Sequence, residues 1–237
     1  SRGYTVEQEL TEFENRKPIY RGTFKNYARN VDEAVTAATD LSDMVGYAAD
    51  AGVTGGATFD EIVVYDPRDS AAIAGTFRWA IAQAESAGGG ILIVHPDLQF
   101  DIEVLSTLLV LGDNITIDMP GRNTRFWAKR DVEMFSIRGQ NIIFRRAGLG
   151  HLPGPVSGEK KGMSIRPDLA DKVWIDQCDF RRISDGALDI AASTFAPASP
   201  ACRVSVTRNM IRNQDKAMLL GSTDYDGSDL DDPAKLF

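Results

Sequence analysis

Four aspartates, Asp176, Asp179, Asp185 and Asp189, fall within KVWIDQCDFRRISDGALDI, residues 172 to 190. Carboxylates that point outward from strands need a counter-charge, supplied by a bound cation or by neighbouring Lys and Arg. Two alternating runs, VWID and ALDI, joined by a polar bend, are the elements that would carry them. The spacing of four between Asp185 and Asp189 sets both on one face of an extended segment, with Leu188 and Ile190 turned inward. Other catalytic groupings are missing from the sequence. His95 and His151 are the only histidines and stand far apart, each read as a packed or solvated imidazole. There is no Ser/His/Asp grouping, no phosphate-cradling glycine loop and no Cys/His spacing suited to zinc.

Composition narrows the class of protein. The chain has 237 residues, 43% of them hydrophobic, with 21 Gly, which describes a turn-rich globular protein able to bury a core. A formal charge of −8 and a pI near 4.9 argue against nucleic acid as a partner, because such binding needs a cationic surface. No apolar run approaches the roughly 18 residues of a membrane span, and no cationic leader precedes an apolar segment. The chain starts at Ser1, which leaves a removed leader or a fragment open. Cys178, inside a strand-like run, is read as a small buried hydrophobe. Spacing alone does not argue a bridge to Cys202.

The first 51 residues read as a helical extension, in TVEQELTEFENRK and NVDEAVTAATDLSDMVGYAADAG, with Asn30 as an N-cap and Gly52 near the stop. EIVVYDP is a strand ended by Pro67. TFRWAIAQAESAGGG places Phe77, Ala80, Ile81 and Ala84 on one face of an amphipathic helix that glycines close. Beyond Gly90 short strand-like runs recur. NITIDMP, NIIFRRA, KVWIDQC and RVSVTRN start at 114, 141, 172 and 203, and MFSIRG, GMSIRP, ALDI and AMLLG at 134, 162, 187 and 217. Both series share a period of roughly 25 to 31 residues, the mark of a solenoid. The Leu-x-x-Leu-x-Leu frame is absent, and strands stand where helical repeats would need helices. The expectation is a parallel β-helix over residues 52–237, with coils stacked about 4.8 Å apart and TFRWAIAQAESA capping its first end.

The sequence resembles the pectate lyase family, whose fold is a right-handed parallel β-helix, from about Gly52 to Gly227. The resemblance rests on TGG followed by TFRWAIAQA, NITIDMPG, NIIFRRAGL, KVWIDQCDF, DGALDI and VSVTRNMIRNQDKAMLLGSTD, the last three in the family's order and spacing. It implies cleavage of a polygalacturonate- or pectin-like polyuronate by β-elimination, assisted by Ca2+, in a secreted or periplasmic protein. It implies that Asp185 and Asp189 are metal ligands and that Asp189 and Lys216 meet substrate. Asp176 and Trp174 match the VWID strand, where the aspartate is structural.

Three departures accompany the match. KGM, Lys161 to Met163, falls where the family's first calcium strand carries Asp-Gly-Asp; Gln177 stands at the usual histidine; and the arginine-bearing turn that supplies the base is absent before Phe237, so the catalytic residue is unknown and the β-helix reads as truncated. Lys161 is an alternative source of positive charge, as in pectin lyases, which dispense with calcium. The competing function is a β-helix without catalysis, serving as a carbohydrate-binding or surface assembly module, with a partner chain or a missing segment stacked on its C-terminal end. Phe126, Trp127 and Trp174 are read as packing residues, Arg138, Arg145, Arg146 and Arg166 as a solvated cationic face, and TDYDGSDLDDPAK as an exposed loop.

Overall fold

The computed structural model describes residues 41–42, 44–94, 101–119, 125–128, 132–151, 161–166, 169–183, 185–192, 203–212 and 216–222. Residues 1–40 of the helical extension expected over 1–51, His95, Cys202 and the acidic stretch at 223–235 lie outside the described residues; the described end of that extension is helical over Tyr47–Asp50.

Short parallel strands wind into a solenoid. In chain order the elements are α1 (Tyr47–Asp50), β1 (Glu61–Val64), α2 (Phe77–Ala87), β2 (Gly90–Val94), β3 (Asp101–Glu103), β4 (Leu108–Val110), β5 (Ile115–Asp118), β6 (Arg125–Ala128), β7 (Phe135–Ile137), β8 (Gln140–Arg145), β9 (Gly148–His151), β10 (Met163–Ile165), β11 (Asp171–Asp176), β12 (Asp179–Arg181), β13 (Gly186–Ala192), β14 (Val204–Thr207), β15 (Met210–Arg212) and β16 (Lys216–Ser222). They form three all-parallel sheets, ordered β1-β2-β5-β8-β11-β14, β4-β7-β10-β13-β16 and β3-β6-β9-β12-β15. The two strand series expected from the sequence are the first two sheets. Their register holds from coil to coil: Ile115, Ile142, Val173 and Val204 align in one sheet, and Phe135, Met163, Leu188 and Met218 in the other.

The third sheet carries no such signal in the sequence. Its strands are three or four residues long, and each stacks one apolar side chain in register, Ile102, Phe126, Leu149, Phe180 and Ile211. One inward residue in each strand but β6, which buries Phe126 and Ala128, is too little alternation to tell from a loop.

Inward residues of all three sheets fill a single core. Phe77, Phe126, Phe135 and Phe144 are fully buried in it and meet edge to face at 4.6, 4.8 and 4.9 Å between successive ring centroids. Phe77 comes from α2, so the cap is joined to the tube by the same stack. The helix buries Phe77, Ala80, Ile81 and Ala84, the face expected from their spacing. It starts at Thr76, whose hydroxyl accepts from the Trp79 N–H at 3.3 Å, and stops at Gly88 in the left-handed region, φ 80°.

The outer face of the first sheet is covered by the segment leading into the solenoid. Ala48 N–H donates to Ser205 Oγ (2.8 Å), Thr54 and Gly55 N–H to Asn141 Oδ1 (2.8 and 3.0 Å), and Gly56 N–H to Thr116 Oγ1 (2.9 Å). Ala48 and Val53 pack there on Ile143 and Trp174, which is why an outward tryptophan is fully buried. Trp174 and Phe126 are thus packing residues, as expected.

Arg145 and Arg146 do not form a solvated face. Asp118 is fully buried on the outer side of β5 and accepts from Arg145 Nε at 2.9 Å and from Arg146 Nε at 2.6 Å. Asp176, equally buried, accepts from Arg208 Nε at 2.8 Å and Thr207 Oγ1 at 2.7 Å. Its role is structural, since a buried carboxylate needs such partners in place of water.

Candidate functional site

The site stands on the outer face of the sheet β4-β7-β10-β13-β16. Along β10 and β13, Met163, Ile165 and Leu188 enter the core, so Ser164 and Asp189 between them face outward. Gly186 and Lys216 are paired in register across β13 and β16. Gly162, just before β10, donates its N–H to Gly186 O at 3.1 Å. Parallel stacking therefore brings Lys161, Asp185 and Lys216, each from a different coil, to one edge of the sheet.

Their side chains meet. Lys216 Nζ donates to Asp185 Oδ1 at 2.8 Å, and Lys161 Nζ lies 3.7 Å from Asp185 Oδ2. Burial alone would raise the Asp185 carboxyl; the Lys216 hydrogen bond, the Lys216 and Lys161 charges and the Gly186 N–H together hold it below its ordinary value. Asp189 moves the other way. Burial is the largest influence and pushes its carboxyl up; Lys161 opposes that, Asp185 adds to it, and the Leu219 N–H and Lys216 oppose it in turn. Two neighbouring carboxylates thus differ in state, one ion-paired and one buried.

Asp189 is seated by its neighbours. A Cβ on Gly186 would stand 1.8 Å from Asp189 Oδ1, so the carboxylate fills the space that this glycine leaves empty. Three further residues surround it that single positions in the sequence do not single out. Ser164 donates to Glu133 Oε1 and lies 3.4 Å from Ser136 Oγ, and Arg138 Nε donates to Ser136 Oγ at 3.3 Å. Ser136, Ser164 and Asp189 occupy one row, paired in register. The recurring triplets FSI, MSI and LDI, a polar residue between two inward apolar ones, are the signal that marks it.

Calcium takes six to eight oxygen ligands. Asp185 and Asp189 bring two carboxylates, and the oxygens of Asp185 already face two ammonium groups. Among the described residues no group of three or more His, Cys, Asp or Glu stands together as for a metal ion. This donor set does not fit a calcium ion, and the positive charge at the site belongs to Lys161 and Lys216.

Comparison with known proteins places this arrangement in context. The chain is 28% identical over 187 residues to "Probable pectate lyase 4" of Arabidopsis thaliana, an alignment covering 76% of the chain and 45% of the plant protein. The chain therefore spans less than half the length of this curated relative. Among solved structures, it superposes with a TM-score of 0.53 on the crystal structure of Jun a 1, the major allergen from cedar pollen. That match covers 81% of the chain and 68% of the allergen at 16% identity, and it shows a common fold. No protein-family model matches the sequence.

Proposed function

The chain is a pectate-lyase-like right-handed parallel β-helix, and from that premise we propose that it acts as a lyase on an acidic polysaccharide of the polyuronate class. The observation that carries this reading is the convergence of Lys161 and Lys216 on Asp185 from neighbouring coils. The reaction is β-elimination. A base removes the proton on C5 of a uronate unit, the electron pair forms the C4–C5 double bond, and the C4–O bond breaks, its oxygen leaving with a proton. Negative charge builds on the carboxylate beside C5 as this happens.

Lys161 and Lys216 are placed to meet that charge. Lys216 is two-thirds exposed and keeps the freedom to turn from Asp185 to a sugar carboxylate. Asp185 holds both ammonium groups until substrate arrives, which lowers the cost of orienting them. Two ammonium groups about 4 Å from one carboxylate contribute roughly 1–4 kcal/mol each, depending on how much water is excluded. Asp189 borders the same face as a substrate contact. No described residue is assigned as the base. Calcium is the cofactor that the resemblance implies, with Asp185 and Asp189 as its ligands, but with both oxygens of Asp185 facing lysine ammonium groups the pair does not fit the ion, and no step here passes through it.

The substrate class also bears on where the protein works. Polyuronates are met outside the cell, and we place the protein there, secreted or periplasmic; among the described residues no helix is long and apolar enough to cross a membrane. The test is production of the unsaturated sugar end, followed by ultraviolet absorbance, with the full-length protein and its Lys161→Gln and Lys216→Gln variants. Product that falls about ten-fold or more in either variant supports the reading. No product from any polyuronate would leave a binding surface in place of a lyase.

A further inference from the structure

The elimination needs a base for the C5 proton, and the lysine ammonium groups have no lone pair to take it. Around Lys161 and Lys216 the described carboxylates are Glu133, Asp185 and Asp189. Asp185 is occupied, its two oxygens facing Lys216 Nζ at 2.8 Å and Lys161 Nζ at 3.7 Å. Asp189 is closed off, 5% exposed. Glu133 alone of the three keeps partial exposure without giving up its charge to Lys216.

Its place in the solenoid sets it beside the lysine pair. The Met134 N–H donates to Lys161 O at 3.1 Å, so Glu133 stands one coil before Lys161 on the same edge of the sheet. That edge reads Glu133, Lys161, Asp185 and Lys216 over four successive coils, acid and base in alternation. Ser164 faces outward from β10 and its hydroxyl donates to Glu133 Oε1, which holds the carboxylate over the outer face next to Lys161. Coils stack about 4.8 Å apart. Because C5 of a uronate is bonded to the carboxyl carbon, a unit whose carboxylate meets Lys161 brings its C5 hydrogen within one coil's reach of Glu133.

We propose that Glu133 is the base of the elimination, a catalytic residue that takes the C5 proton of the uronate unit whose carboxylate Lys161 neutralises. A new O–H bond forms on Glu133, the C5–H electron pair becomes the C4–C5 double bond, and the C4–O bond breaks. The leaving oxygen takes a proton from water, and Glu133 afterwards returns its own to water, so the enzyme ends as it began. Ser164 is a positioning residue for the carboxylate. Burial is the largest influence on Glu133 and raises its carboxyl; Arg166, Lys161 and Arg138 oppose that, and Asp189 adds to it. A raised carboxyl is the stronger base, and a base serves best as its own value approaches the working pH. This inference rests on the polyuronate lyase reading above and names the base for it.

The experiment measures kcat for unsaturated product against pH with the full-length protein, and galacturonate oligomer binding by calorimetry. Glu133→Gln should lower kcat about 100-fold or more while oligomer affinity stays within about three-fold of the parent, and Glu133→Asp should keep more of the rate. A base acts only when deprotonated. The parent rate should therefore fall as pH drops through the Glu133 value, above the ordinary 4.5, and the residual rate of Glu133→Gln should lack that fall. Ser164→Ala removes a donor to the carboxylate and should move the fall to higher pH with a smaller loss of rate, a result that also decides the matter if Glu133→Gln fails to fold. An active parent whose Glu133→Gln rate stays within about three-fold, or whose pH profile is unmoved by Ser164→Ala where Glu133→Gln does not fold, would refute the base and leave the lyase reading intact. A parent that forms no product from any polyuronate would overturn both.

Discussion

The carboxylate of Asp189 lies directly over Gly186, close enough that a Cβ at position 186 would fall 1.8 Å from Oδ1 and 2.3 Å from Cγ. Glycine is needed here for close approach. Its φ is ordinary, so the backbone itself accepts alanine. Gly186→Ala must therefore drive the buried carboxylate out of its seat while leaving the strand paired. The expected outcome is about a ten-fold loss of oligouronate affinity, with a melting temperature within a few degrees of the parent. Calorimetry and thermal melting on the same preparation check both halves.

Acid sensitivity should trace in part to Asp171 at the start of β11. Arg203, one coil on, donates its backbone N–H to Asp171 Oδ1 at 2.9 Å and its Nε to both oxygens at 2.9 and 3.1 Å. The Arg203 side-chain bond is the largest influence and holds the carboxyl at about 2, against 3.8 for an ordinary aspartate. A folded-state value below the unfolded one means that the stabilisation is present above about 4 and lost as pH falls toward about 2. Melting temperatures of the parent and of Asp171→Asn should converge over that window and differ above it.

The phenylalanine stack should be the most sensitive part of the core. Phe135 meets Phe77, Phe126 and Phe144, joining the capping helix to two coils. Phe135→Ala is expected to cost about 3–5 kcal/mol, because the removed ring leaves a cavity that strands fixed on both sides cannot close. Denaturant unfolding measures it, and a cost under about 1 kcal/mol would mean that the coils repack.

Cys178 should be inert in the native protein. Its thiol is buried and free, and burial pushes it up to about 12, so the thiolate that reacts with alkylating reagents is scarcely present. Mass spectrometry of the peptide containing Cys178 should show labelling by iodoacetamide only after denaturation.

Much of this architecture was legible before any coordinates. The triplets of the second sheet and the VWID-like runs of the first carry enough inward residues to reveal both period and register. The face of α2 follows from Phe77, Ala80, Ile81 and Ala84. The third sheet escaped because Ile102 or Ile211 alone, between polar neighbours, does not make an alternation.

The ion pairs escaped for a different reason. Arg145 and Arg146 read as solvated because their partner, Asp118, is one coil away, and only the stacking of β5 on β8 brings it under them. The same holds at the site. Asp185, Asp189 and Lys216 were identified from motifs, but Glu133 and Ser136 acquire meaning only once the coils are aligned. Lys161, an apparent departure in sequence, is the residue that defines the electrostatics of the site.

The central claim is that lysine ammonium groups neutralise a uronate carboxylate during elimination at this face. The most direct measurement is the rate of unsaturated product formation from polygalacturonate by the full-length protein, with added calcium and with chelator, for the parent and Lys161→Gln. The account predicts a parent rate that survives chelation and drops about ten-fold or more in the variant. A rate abolished by chelator and unchanged by Lys161→Gln would contradict it.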